Sequence, residues 1–129
     1  MVDNDLSHRL ATGLHAIFED EHEIVALRHK FGRTDVADEE WIRHLGAERQ
    51  WAVLSGDRRI ARNRMQRDLF IRSGLVGFFF AASLRKMPLH LQCARMLAIL
   101  PTMAAYTKLT ASGVFEVPAS GGKFRQIGR

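Results

Sequence analysis

Three acids occupy positions from which a parallel sheet can do chemistry. Sites in open parallel sheets form outside the carboxyl ends of the strands. Asp57 follows the apolar run Trp51-Ala52-Val53-Leu54-Ser55 after a single glycine. Asp3 follows what would be a first strand, with Met1 and Val2 before it. Asp38 lies three, four and seven residues before Trp41, Ile42 and Leu45. It therefore shares their inward face at the start of a helix. Carboxylates gathered at one sheet edge repel unless they share protons or hold a cation. An all-oxygen donor set suits Mg²⁺ or Mn²⁺ rather than zinc. Such an ion activates water and stabilises the charge on a phosphodiester during in-line displacement. Each acid also has a plainer reading. Asp38 is an N-cap, Asp57 an ordinary turn residue, and Asp3 and Asp5 are acids of a frayed terminus.

Next to Asp57 stand Arg58, Arg59, Arg62, Arg64 and Arg67, five arginines in ten residues. Beside a carboxylate cluster they would grip phosphate, and otherwise they form a solvated helix face. Lys123 and Arg125 on the C-terminal stretch add to the same charge. The overall +5 conceals a split. Residues 1–57 hold 6 Lys/Arg against 12 Asp/Glu, net −6, and residues 58–129 hold 13 against 2, net +11. The basic part calls for a polyanion partner. Other chemistries find less support. No two of the six histidines have the i, i+4 spacing of a helical zinc site. Cys93 has no activating base near it in sequence. Gly121-Gly122-Lys123 lacks the rest of a phosphate-binding loop. Phe78-Phe79-Phe80 reads as strand core, since base stacking needs exposed rings.

These residues need a scaffold. Ser7 caps a helix through about Phe18, with Leu6, Leu10, Leu14 and Phe18 recurring every four residues. Residues 23–27 read as a short buried strand, and 29–37 as a loop. Asp38 opens a second helix to about Arg49. Trp51 to Ser55 is a strand, residues 56–63 an arginine-dense turn, and 64–73 a helix stopped by Gly74. Leu75 to Phe80 is a further strand. Pro88 begins a long helical stretch that Pro101 should kink or split. Val114 to Val117 forms a last strand or an extended tail, and about 119–129 reads as loose. Near-continuous apolar strands alternating with helices imply an α/β fold, its parallel sheet covered on both faces.

At 129 residues the chain has the size of one domain, long enough to bury a core without staples. With 47% hydrophobic and 26% charged residues it has globular composition rather than that of a disordered chain. A single cysteine excludes an internal disulfide framework and a cysteine zinc finger. No apolar run is long enough for a membrane span, and the first residues lack the layout of a signal peptide. A cytoplasmic location is the expectation.

Asp3-Asn4-Asp5-Leu6-Ser7 resembles the first-strand motif of PIN-like domains, an acid followed two positions later by a polar residue. Asp38-Glu39-Glu40-Trp41-Ile42 resembles the acid that opens their middle helix. Trp51 to Asp57 resembles their strand ending in Ser/Thr, any residue, Asp. The remainder, with Arg58-Arg59-Ile60 and Gly122-Lys123-Phe124-Arg125, is similar to the bacterial subgroup related to VapC-type toxins. The likeness covers nearly the whole chain. It implies a three-layer α/β/α PIN-like fold with a mostly parallel sheet, one domain over 1–129. It implies a Mg²⁺- or Mn²⁺-dependent endoribonuclease in which Asp3, Asp38 and Asp57 hold the metal, with Glu39 replacing Asp38 if the helix register shifts. Ser55 would orient Asp57 or a water, and Arg58, Arg59, Arg62 and Lys123 would hold the RNA. A toxin role brings an antitoxin as partner, and PIN-type proteins often form homodimers. Two departures support an alternative, a PIN-like module that binds nucleic acid or protein without catalysis. The apolar stretch before Asp3 is short, and Arg59 stands where many relatives carry another acid.

Overall fold

The computed structural model describes residues 1–127, with the backbone alone at Arg58. Four strands form one sheet in the order β1 (Ala52–Ser55), β2 (Val76–Phe80), β3 (Gly113–Val117) and β4 (Arg125–Gln126). The first three are parallel, with Leu54 opposite Phe78 and Phe78 opposite Phe115. β4 is antiparallel to β3, so part of the stretch expected to be loose is a sheet edge. Beyond β1 the sheet continues through single-residue bridges. Val2 pairs in parallel with both Leu54 and Ala26. The Val2 amide donates to Val25 O and the Leu27 amide to Val2 O, both at 2.8 Å. The strand expected over 23–27 is thus reduced to one bridging residue, because Leu27 already begins a helix.

Side-chain alternation sorts the strands onto two cores. Leu54, Val76, Phe78, Phe80, Phe115 and Val117 face one side. Their cover is α1 (His8–Phe18), through Leu10 and Leu14, and α7 (Leu89–Leu109), through Met96, Ile99 and Met103. Val53, Phe79 and Val114 face the other. There they meet Trp41, Ile42 and Leu45 of α3 (Asp38–Glu48), Ile60 of α4 (Arg58–Arg62) and Phe70 of α5 (Arg64–Arg72). This is a three-layer α/β/α arrangement. Every residue of β2 is buried, as befits a central strand covered twice. Its slim Gly77 has a cause: a Cβ there would stand 2.7 Å from the Phe70 ring. Full burial of rings such as Phe78 and Phe79 is worth about 1.5–3 kcal/mol each.

Several local expectations need correction. The loop expected over 29–37 begins with a helical turn, α2 (Leu27–Phe31), closed by Gly32 in the left-handed region. The arginine-dense segment after Asp57 is α4, nucleated because Asp57 caps it, its side chain accepting from the Arg59 amide. A short helix absent from the sequence reading, α6 (Ala82–Arg85), follows β2. Helix α7 is not split at Pro101. Pro101 and Leu97 are both exposed, so the Leu97 carbonyl that loses its amide partner can turn to water.

Candidate active site

The carboxyl end of β1 delivers Ser55, Gly56 and Asp57, and the neighbouring Val2 bridge delivers Asp3 and Asp5 to the same place. Asp3 is buried, and its amide donates to Leu54 O at 2.9 Å. That bond fixes it beside Ser55, also fully buried. The Ser55 hydroxyl donates to Asp3 Oδ2 at 2.9 Å and has Asp5 Oδ1 at 3.3 Å. Its oxygen accepts from the Asp57 amide at 2.9 Å. Ser55 therefore touches Asp57 through the backbone and two other acids through their carboxylates.

Asp5 is more than a neighbour of Asp3. Its Oδ1 accepts from the Gly56 amide at 3.2 Å, and Arg85 of α6 approaches its Oδ2 at 3.9 Å. Gly56 admits this close packing, since a Cβ there would lie 3.0 Å from Asp5 Oδ2 and 3.2 Å from Arg85 Nε. In sequence, Asp5 reads as a frayed-terminus acid or a polar motif position, and Arg85 as a cation with no role. The charge of Asp5 two residues after Asp3 was a usable signal. Arg85 carried none, because only the fold brings α6 to this edge.

Asp38 is the first residue of α3, and the N-cap position belongs to Ala37. Its Oδ1 accepts from Trp41 Nε1 at 3.1 Å, which turns it along the helix toward the core side. Asp57 is held from a different direction. Arg59 donates to it three times: backbone N to Oδ1 at 2.9 Å, Nε to Oδ1 at 3.0 Å and Nη2 to Oδ2 at 2.9 Å. Both Asp57 oxygens are thereby taken by one guanidinium.

Electrostatics join the four acids. Burial, then the charge of Asp5, pushes Asp3 up to about 6, and Asp38 adds to the rise. Burial raises Asp5 as well, with Asp57 contributing, against lowering bonds from Gly56 and Ser55 and the charge of Arg85. Burial and the charge of Asp57 raise Asp38, against the bond from Trp41. Asp57 alone goes down: burial pulls it upward, but the Arg59 bonds outweigh that. Burial is thus the main cause of the three rises, and four carboxylates face two guanidiniums, those of Arg59 and Arg85.

The donor set suits a hard divalent cation, being oxygen throughout and short of positive charge. Among the described residues, however, no three His, Cys, Asp or Glu side chains already stand in a metal-holding group. Asp3, Asp38 and Asp57 feel one another's charge without converging as ligands in this conformation, with Asp57 held by Arg59 and Asp38 by Trp41. Glu39 is exposed, and its charge adds to the rise at Asp38.

The expected phosphate-holding residues are scattered. Arg59 faces the acids instead of an open groove. Arg62 is exposed at the end of α4, and Lys123 is exposed in the connection to β4, two strands across the sheet. The Arg58 side chain lies outside the described residues. Among the described residues no helix is long and apolar enough to cross a membrane.

A family model described as a PIN like domain matches residues 1–82. The match takes in Asp3, Asp5, Asp38, Ser55, Asp57 and Arg59, and it ends before Arg85 and α7. No curated protein and no solved structure matches.

Proposed function

The chain belongs to the PIN-like domain family, whose fold is of nuclease type, and on that premise we propose that it is a Mg²⁺- or Mn²⁺-dependent endoribonuclease. The observation that carries the proposal is that Ser55 holds the Asp3 and Asp5 carboxylates and the Asp57 amide at one sheet edge, with the charges of Asp38 and Asp57 felt by their neighbours there. The ion, when bound, would activate water and offset charge on the phosphodiester. Asp3, Asp38 and Asp57 are the proposed ligands, and Asp5 adds negative charge beside them. Ser55 fixes the Asp57 backbone and the Asp3 carboxylate relative to each other. Arg59 must release Asp57 before its oxygens can ligate, and once released it is placed to meet the RNA backbone. The proposed partners extend, on the resemblance to VapC-type toxins, to an antitoxin protein and a second copy of the chain.

The deciding experiment is cleavage of labelled single-stranded RNA with Mg²⁺, with Mn²⁺ and with EDTA, beside Asp57→Asn. Asparagine keeps the helix cap, so the variant retains its fold. The proposal expects metal-dependent cleavage that falls at least about 100-fold in the variant, the scale of losing a charge-stabilising catalytic group. An Asp57→Asn protein that cuts as well as wild type sinks it. The bidentate Arg59–Asp57 contact favours a second reading, a non-catalytic nucleic-acid-binding module in which the guanidinium stands where a metal would. That reading expects no cleavage and salt-dependent RNA binding indifferent to EDTA.

A further inference from the structure

The opposite end of the sheet carries a cationic cleft that the carboxylate edge does not explain. It is open, about 730 Å³, and lies among the C-terminal ends of α3 and α5 and the entry to β3. Eight residues line it: Arg43, Gly46, Ala47, Arg49, Arg72, Ser73, Gly74 and Ala111. Three are arginines and none is an acid. No carboxylate among the described residues pairs with any of the three. Arg43 and Arg49 make no side-chain hydrogen bond there, and Arg72 has only a 3.4 Å contact from Nε to the Asp68 carbonyl.

Two features of the backbone build this cleft. Gly46 lets α3 approach the end of α5 closely; a Cβ there would stand 2.7 Å from both Ser73 Cβ and Ser73 O. That approach brings arginines of two helices to one opening. Arg49 sits at φ 59°, the one non-glycine residue with positive φ among those described. The left-handed region costs a side-chain-bearing residue roughly 1–2 kcal/mol, and glycine is the usual occupant after a helix. A cation at a helix C-terminus typically returns about 0.3–1 kcal/mol. The Arg49 amide closes α3 on Leu45 O at 3.2 Å, so the left-handed turn is also the helix cap, and it carries an arginine to the cleft where glycine is the usual occupant.

We propose that the cleft of Arg43, Arg49, Arg72 and Ser73 is a phosphate-binding site. Guanidiniums present forked donors that match phosphate oxygens, and three without acidic partners are free to donate. The Ser73 hydroxyl supplies a neutral donor on the same wall. The ligand is a phosphate group, whether free or carried by an RNA backbone. The site is independent of the metal proposal, because the whole length of the parallel strands, roughly 15 Å, separates it from Asp57.

The test is an NMR titration of the full chain with inorganic phosphate, set against sodium chloride at equal ionic strength. The expected result is saturable shifts at the Gly46, Arg49, Ser73 and Gly74 amides, with Gly56 and Asp57 unmoved. Combined Arg43→Gln, Arg49→Gln and Arg72→Gln should weaken that response at least tenfold. Arg49→Gly adds an independent check: it should weaken phosphate binding while raising the melting temperature, since glycine relieves the left-handed strain. Shifts that chloride reproduces, or a triple variant that titrates like wild type, overturn the proposal. A short single-stranded RNA that displaces phosphate at the same amides identifies the source as an RNA backbone. An RNA that leaves them unchanged while phosphate still binds identifies a free phosphate ligand. Absence of metal-dependent RNA cleavage by the wild-type chain, with phosphate binding intact, would refute the nuclease reading alone.

Discussion

The two ends of the sheet hold opposite charges in opposite states of order. At the carboxyl ends of the strands, Asp3, Asp5 and Asp57 are tied by short bonds to Ser55, Gly56 and Arg59, and much of the cluster is out of water. At the amino ends, Arg43, Arg49 and Arg72 surround an open cleft with no acid among them. Burial makes the first group expensive to ionise and sensitive to every neighbour. Exposure leaves the second group fully charged but screened, so it needs a multiply charged ligand to gain much. The acid end is held in place by its own hydrogen bonds. The arginine end is charged and awaits an anion.

The largest effect expected from breaking this contrast lies at Asp3. Its pKa is raised from 3.8 to about 6 by burial, so the folded chain holds the proton through a pH range where the unfolded chain has released it. Stability contributed by the neutral acid is therefore present below pH 3.8, falls as pH rises toward 6, and is gone above it. The shift corresponds to roughly 3 kcal/mol at most. Asp3→Asn should accordingly melt several degrees higher than wild type at pH 7.5 and about the same at pH 3.5, by thermal denaturation. Equal melting of the two proteins at pH 7.5 would show that a cation or a water already balances the charge.

A middle-sized effect is expected at the other end. Gly46→Ala places a methyl against the Ser73 backbone, which cannot swing aside as a flexible side chain would. The cost should be about 1–3 kcal/mol for overpacking, less the roughly 1 kcal/mol that alanine returns in a helix. Chemical denaturation should register the loss. Phosphate binding should weaken with it, while any RNA cleavage per folded molecule stays unchanged. If cleavage falls in proportion to phosphate binding, the two ends act on one ligand and the contrast between them collapses.

The smallest effect should come from Arg59→Ala. The guanidinium is largely exposed and screened by solvent, so its loss should leave stability almost unchanged. It frees Asp57 Oδ2 and leaves Oδ1 with the backbone amide alone, and Mn²⁺ affinity measured by calorimetry should rise several-fold. Unchanged affinity would mean that Arg59 swings away from Asp57 without resistance.

Much of the scaffold was legible because physics writes it locally. Strands covered on both faces read as apolar runs, so residues 51–55 and 75–80 stood out, each within one residue of the strand observed. Ser7 announced α1, and the inward stripe of Trp41, Ile42 and Leu45 announced α3. Asp3, Asp38, Ser55 and Asp57 could be singled out because strand ends and helix starts are visible in sequence. What resisted reading was long-range or ambiguous. Helix α4 hid in a string of arginines after a glycine, which looks like a turn until Asp57 is recognised as its cap. The first strand rests on Val2 alone, with partners 24 and 52 residues away in sequence. The arginine cleft takes its cations from two helices and leaves no run to notice. Arg59 looked like a hand for phosphate, and the fold turns it onto its own helix cap.

The Ser55 hydroxyl carries a last consequence. It owns a single hydrogen, yet two carboxylates lie within its reach. It can address Asp3 or Asp5 at any instant, but not both. A proton arriving on Asp3 makes that acid the weaker acceptor, and the hydroxyl hydrogen then favours the charged Asp5. The buried serine thus works as a selector, reporting the state of one acid to the other, and Ser55→Ala would leave the two carboxylates in contact only through their repulsion.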